Sequence, residues 1–136
     1  MGSVSYHISF RGRAQGPISS GAIHKHVHDY QADVAEELAK EAENAWLVYL
    51  NSRLRHQRPY YTTRIETRRL AFNRYKIHDN DVIYGHWLEG TGSRNSPVTR
   101  FPGYWSMRDT KADMKYDRKP IAERVLGEHQ ARGRLI

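Results

Sequence analysis

The chain contains no cysteine. A disulfide framework, thiolate catalysis and cysteine-ligated zinc are therefore excluded. It also lacks a long apolar run: charged residues recur throughout, and no stretch reaches the ~20 apolar residues of a membrane-spanning helix. A soluble protein with no membrane partner is expected. The opening residues MGSVSYHISF carry neither a basic nor a long apolar region, so no signal peptide is expected. Tyr6 stands where a myristoylation signal needs Ser or Thr. Internal repeats and low-complexity tracts are absent too. At 136 residues the chain is expected to form one domain, residues 1–136, large enough to bury a core without staples.

What is present in excess is positive charge. Twenty-two Lys and Arg against 15 Asp and Glu leave a net charge of +7. The excess is concentrated. Between Arg53 and Lys76 there are eight basic residues and one acid, Glu66. Between Asp29 and Glu43 there are six acids and one base, Lys40. A basic patch attracts nucleic acid. Oppositely charged faces on one small protein also steer copies of it together, and the acidic block tilts the reading toward self-assembly.

Along the chain, Val4, Tyr6, Ile8 and Phe10 alternate with Ser5, His7 and Ser9, the pattern of a half-buried strand. Residues 11–19 read as a loop. Ile23, Val27, Tyr30, Val34, Leu38, Ala42, Ala45 and Tyr49 recur at steps of three and four. They predict one long amphipathic helix over Gly21–His56, with a bend or break placed, if anywhere, near Asn44. Trp46, Leu47, Val48 and Leu50 widen its apolar stripe, so the second half is expected to be better buried. After Pro59, Tyr60–Arg69 and Leu70–His78 predict a hairpin with an arginine-studded solvent face. Asp79-Asn80-Asp81 reads as a turn, with Asp79 or Asp81 capping a short helix that holds Tyr84, Trp87 and Leu88. A helix over Tyr104–Met114 and a second from Pro120 to Ala131 complete the order. The class is α+β: a long amphipathic helix packed on a small antiparallel sheet, with C-terminal helices.

Candidate chemistry is thin. His24 and His28 have the i, i+4 spacing of helical zinc sites, but no Glu follows in the His-Glu-x-x-His manner, and a solvated first turn is the favoured reading. His86 with Glu89, and His78 with Asp79 and Asp81, offer imidazole and carboxylate without a nucleophile or oxyanion site. Gly90-Thr91-Gly92 has no following Gly-Lys-Ser/Thr and is a turn rather than a phosphate loop. No enzyme activity, metal or cofactor is expected. Arg64, Arg68, Arg69 and Arg74, interleaved with Tyr60, Tyr61, Phe72 and Tyr75, form a candidate basic patch for nucleic acid, with base stacking as one use. The opposing reading turns those aromatics to the core.

The most distinctive stretch is Tyr84–Tyr104, YGHWLEGTGSRNSPVTRFPGY. Large apolar anchors flank a polar, glycine-broken loop, as in loops that carry contacts. This stretch resembles a pattern of small bacteriophage tail-component proteins encoded between head and tail genes, notably in phages of actinobacteria. The pattern is Y-G-x-W-L-E-G-x-G-S-R-N, a spacer, then T-R-F-x-G-Y and a helix. The leading strand, the long helix and the tyrosines after Pro59 also match, so the likeness covers most of the chain. His86 stands where the family often has Pro, and Pro102 where Lys is common.

The resemblance implies a structural virion protein of the head–tail junction: a tail-terminator, tail-completion or neck-ring subunit made in the host cytoplasm. It implies a homo-oligomeric ring, a hexamer by expectation. Its neighbours would be an adjacent connector ring and the tail tube protein, with genome DNA passing through the lumen. The expected subunit contacts are Trp87, Glu89, Arg94, Asn95, Arg100, Phe101 and Tyr104. Arg–carboxylate pairs among them would fix register between copies. The alternative is a nucleic-acid-binding protein using the Arg53–Lys76 hairpin.

Overall fold

The computed structural model describes residues 3–11, 21–54, 59–91 and 103–133. Seven elements follow one another: β1 (Ser5–Ser9), α1 (Gly21–Arg53), α2 (Pro59–Thr63), β2 (Glu66–Ala71), β3 (Arg74–His78), α3 (Gly85–Glu89) and α4 (Ser106–Ala131). The fold is α+β. The three strands form an antiparallel sheet in the order β1-β3-β2, and α1 lies across one face of it.

Helix α1 runs unbroken through Asn44 for 33 residues, about 50 Å. Its buried line is Val34, Leu38, Ala42, Trp46 and Leu50, with Ala35 and Ala39 beside it. The predicted line continued instead through Ala45 and Tyr49. Steps of four on a 3.6-residue helix drift around the axis, so Trp46 and Leu50 take over the core face. Val48 points outward, and the second half is only as apolar as that drift permits.

Helix α4 lies antiparallel to α1. Asp33 pairs with His129, Glu37 with Arg124, and Arg53 with Asp109, so residue numbers fall on one helix as they rise on the other. Tyr49 donates to Asp113 within the same series. The apolar part of this contact is Met107, Met114 and Val125, with Ile121 and Ala122 at its margin. Thr110, also buried, returns its hydroxyl to Ser106 O at 2.8 Å and leaves no demand on the core.

The predicted break at Pro120 does not occur. Pro120 sits inside α4. The ring denies Tyr116 O its helical donor, but Tyr116 is 82% exposed, on the side where water replaces that bond. Pro120→Ala should therefore stabilise the protein by about 1–3 kcal/mol, the usual penalty of an interior proline. Thermal melting of the two forms measures it, and an unchanged or lower midpoint would contradict the assignment of Pro120 to a helix interior.

Two further expectations are corrected. Tyr60–Thr63 belongs to a helical turn, not a strand. Pro59 suits the first position of a helix. Tyr61 is pulled inward, where its hydroxyl donates to Asp79 Oδ2 at 2.9 Å and its ring meets Trp46 edge-on. Tertiary contact overrides β-propensity here. Second, Asp79 caps nothing: it is fully buried against Tyr61, and Tyr84 is the N-cap residue of α3 without a side-chain bond. The turn itself is present, with Asn80 and Asp81 both at positive φ, 56° and 57°, which Asn and Asp tolerate best.

The hairpin turn falls at Phe72-Asn73, and the register slips by one between Arg69 and Ala71. Phe72 lies in the turn itself, which puts it out of phase with Tyr75 on β3. Asn73 then ties the turn to β1, donating to Phe10 O at 2.7 Å and accepting from Phe10 N at 3.2 Å.

Candidate functional site

The segment from α3 to the start of α4 is organised around two glycines. Helix α3 ends at Gly90, φ 105°, whose N–H and that of Thr91 both return to His86 O at 2.9 Å. The described chain resumes at Gly103, φ 94°. These glycines lie back to back: a Cβ on Gly103 would overlap Gly90 Cα and N. Glycine is required on both counts, the dihedral and the close approach. The described residues on either side of 92–102 are therefore held together at one point.

Backbone pairs extend this closure. Tyr104 N donates to Leu88 O at 2.7 Å, and Trp105 N to Glu89 O at 3.1 Å. Trp105 then takes a left-handed conformation, φ 55°, and α4 begins. Its first N–H groups need acceptors, and the residue at the N-cap supplies none. Glu89 does: Oε1 accepts from Met107 N at 2.7 Å and Oε2 from Arg108 N at 2.9 Å. A carboxylate at a helix N-terminus also meets the positive end of the macrodipole. Burial raises the Glu89 pKa, and the two backbone bonds only partly offset it.

Arg53 fastens the same corner from α1. Its Nη1 donates to Tyr104 O at 2.9 Å and lies 2.6 Å from Asp109 Oδ2. Its guanidinium covers the Tyr49 ring at 4.4 Å, and Arg108 covers Trp105 at 5.0 Å. Burial alone would raise the Asp109 pKa; Arg53 and Arg108 together hold it below the ordinary value. Beneath α3, Gly85 rests on the buried Asp79–Tyr61 pair, where a Cβ would overlap the Asp79 carboxylate. Burial, then the Asp79 charge, raises the Tyr61 pKa far above that of a free phenol.

The proposed contact residues separate into three groups. Glu89, expected to reach a neighbour, is 7% exposed and turned inward; its role is to bind the start of α4. Trp87 lies at the surface, and Tyr104 is half-buried with its backbone in the closure. Arg94, Asn95, Arg100 and Phe101 lie outside the described residues. Beside Trp87 stand Tyr84 and Ile83, the latter 80% exposed, so three large apolar residues flank the loop's root. The sequence offers no signal for Trp105 or Ile83; Arg53 stands out only as part of the basic excess, and Gly103 only as part of the motif.

The other sequence candidates disperse. The His86 ring faces Thr91 Oγ1 at 2.8 Å, not Glu89. His28 stacks on Phe72 at 4.0 Å. Among the described residues no three metal-ligating side chains converge, and no helix is long and apolar enough to cross a membrane. The four patch arginines are not one surface. Arg68 and Arg74 lie on the sheet face away from α1. Arg69 points to the opposite face, as alternation requires, and Arg64 precedes the sheet. Tyr61 and Tyr75 pack with the core, so neither stacks with those arginines. No family model, curated protein or solved structure matches this chain.

Proposed function

We propose that this chain is a structural subunit of a bacteriophage head–tail junction. In this reading it assembles as a ring of identical copies, sixfold by the resemblance, between a connector ring and the tail tube. The protein acts by contact and turns over no substrate. The observation that carries the reading is the Gly90–Gly103 closure, reinforced by Glu89 and Arg53, at the root of the segment that bears the phage-like motif. A loop built to hold its own core would not need so rigid a root beside an exposed apolar group.

The contact surface is then Ile83, Tyr84 and Trp87 together with Arg94, Asn95, Arg100 and Phe101. The apolar residues exclude water, and the arginines fix register with carboxylates of the next copy. Native mass spectrometry of the purified chain, alone and with the neighbouring head and tail proteins, tests this. A closed oligomer, or one formed on adding a neighbour, is expected. Trp87→Ala should abolish it while the monomer stays folded. A strict monomer under both conditions would reject the reading.

A further inference from the structure

The three-stranded sheet is covered on one side only. Tyr6, Ile8, Tyr75 and Ile77 pair across the strands on the α1 side and are buried or partly buried. By alternation, the other side presents three rows running across the sheet, the first being Ser5, His78 and Glu66. The next is His7, Lys76 and Arg68, and the last is Ser9, Arg74 and Ala71. Arg68, Arg74 and His7 are exposed, and Lys76 partly so. Beyond Arg74 the surface dips into an open groove of about 870 Å³ lined by Arg11 and Arg74, and also by Gln31 of α1 and Phe72, whose ring is stacked on His28.

Several cations elsewhere in the described residues are paired. Arg53 is paired with Asp109, Arg124 with Glu37 and Glu128, and Lys40 with Glu36 and Glu37. Among the described residues, Arg68, Arg74 and Lys76 make no such ion pair. The one acid on their face, Glu66, stands opposite His78. The acidic block of α1, which the sequence reading offered as a matching surface on another copy, is largely consumed within the chain. His28, His129, Lys40 and Arg124 take Asp29, Asp33, Glu36 and Glu37, leaving Glu41 and Glu43.

We infer that this uncovered sheet face binds the phosphate backbone of duplex nucleic acid without reading its sequence. The inference does not rest on the ring reading. Three features favour a polyanion over a second copy of this chain. Among the described residues Arg68, Arg74 and Lys76 make no ion pair, and their face carries one acid, Glu66. The face spans only about 10 Å across the strands and about 17 Å along them, far less than the ~800 Å² per partner of a standard protein interface. And its strands carry no Phe, Tyr or Trp on this side, while Phe72 at its end is already stacked on His28, so backbone contact rather than base stacking is its chemistry.

Fluorescence anisotropy with a duplex DNA of arbitrary sequence, titrated over a range of salt, tests it. Three phosphate contacts predict a log–log salt slope of about −2.7. The triple variant Arg68→Ala, Arg74→Ala, Lys76→Ala should flatten that slope to near zero and weaken low-salt binding by about ten- to a hundredfold. Scrambling the DNA sequence should change nothing. All three positions are at the surface, and thermal melting confirms the variant folds. Wild-type binding by the folded variant would overturn the inference. So would a variant that loses self-association while its DNA binding is unchanged, since the face would then be a subunit contact.

Discussion

Gly103→Ala will destabilise the protein by about 3–5 kcal/mol, combining a side chain at positive φ with overlap against a neighbouring backbone. The magnitude follows from what can yield. A new Cβ at Gly103 meets Gly90 Cα, Gly90 N and Glu89 C, all main-chain atoms at the end of α3. No rotamer change relieves that contact. The strands of chain must part, and parting them breaks the Tyr104–Leu88 and Trp105–Glu89 pairs. Gly127→Ala is the control: a Cβ there meets nothing, and it sits within α4, where alanine is the better helix former. That variant should be slightly more stable than wild type. Chemical denaturation of both measures the difference. Equal stability of Gly103→Ala and wild type would show that the root of the loop is not closed.

Glu89→Ala should lose about 2–4 kcal/mol at neutral pH, because two N–H groups at the start of α4 lose a charged acceptor in a buried place. Glu89→Gln should fall between, since its oxygen serves one N–H while its amide faces the other donor. The pH dependence separates this from a loss of packing. Burial raises the folded pKa of Glu89 above the ordinary 4.5. Between the two values the folded state holds more protons than the unfolded state. The proton-linked part of the Glu89 contribution is therefore complete below the unfolded pKa and is lost as pH rises through the folded one, while the two N–H bonds to the carboxylate persist above it. Glu89→Gln removes that term, so its stability should depend less on pH over this interval. Parallel curves for wild type and Glu89→Gln would contradict the raised pKa.

Both residues sit in a motif visible in the sequence, yet their tasks were not. Glu89 follows Trp87 and Leu88 and precedes a glycine, which reads as an outward carboxylate at a helix end. Nothing local reveals that α4, starting seventeen residues later, brings its first amides to that carboxylate. Periodicity made the long helix and the alternating β1 legible, because each is a repeat within one segment. Tyr61 shows where such reasoning stops: alternation places it in a strand, and one hydrogen bond to Asp79 puts it in a helical turn. Pro120 misleads for the opposite reason. The rule that proline ends helices assumes the freed carbonyl has no water, and here the carbonyl faces solvent. The basic patch was legible as composition but not as a surface. The turn at Phe72-Asn73 and the bulge before it decide which arginines share a face, and no dipeptide announces either.

The separation of roles has a consequence for mutagenesis. Gly103, Glu89 and Arg53 hold the root of the loop and should act on stability, with assembly falling only as the fold does. Trp87 and Ile83 should act on assembly with little effect on stability. Arg68, Arg74 and Lys76 should act on neither, and only on nucleic acid.

The most direct test of the proposed assembly role is hydrogen–deuterium exchange over residues 83–104, compared between the isolated chain and the assembled particle. The account predicts that amides of this segment exchange markedly more slowly in the particle, while the solvent-facing middle of α4 around Tyr116 is unchanged. Identical exchange of residues 83–104 in the two states would contradict it.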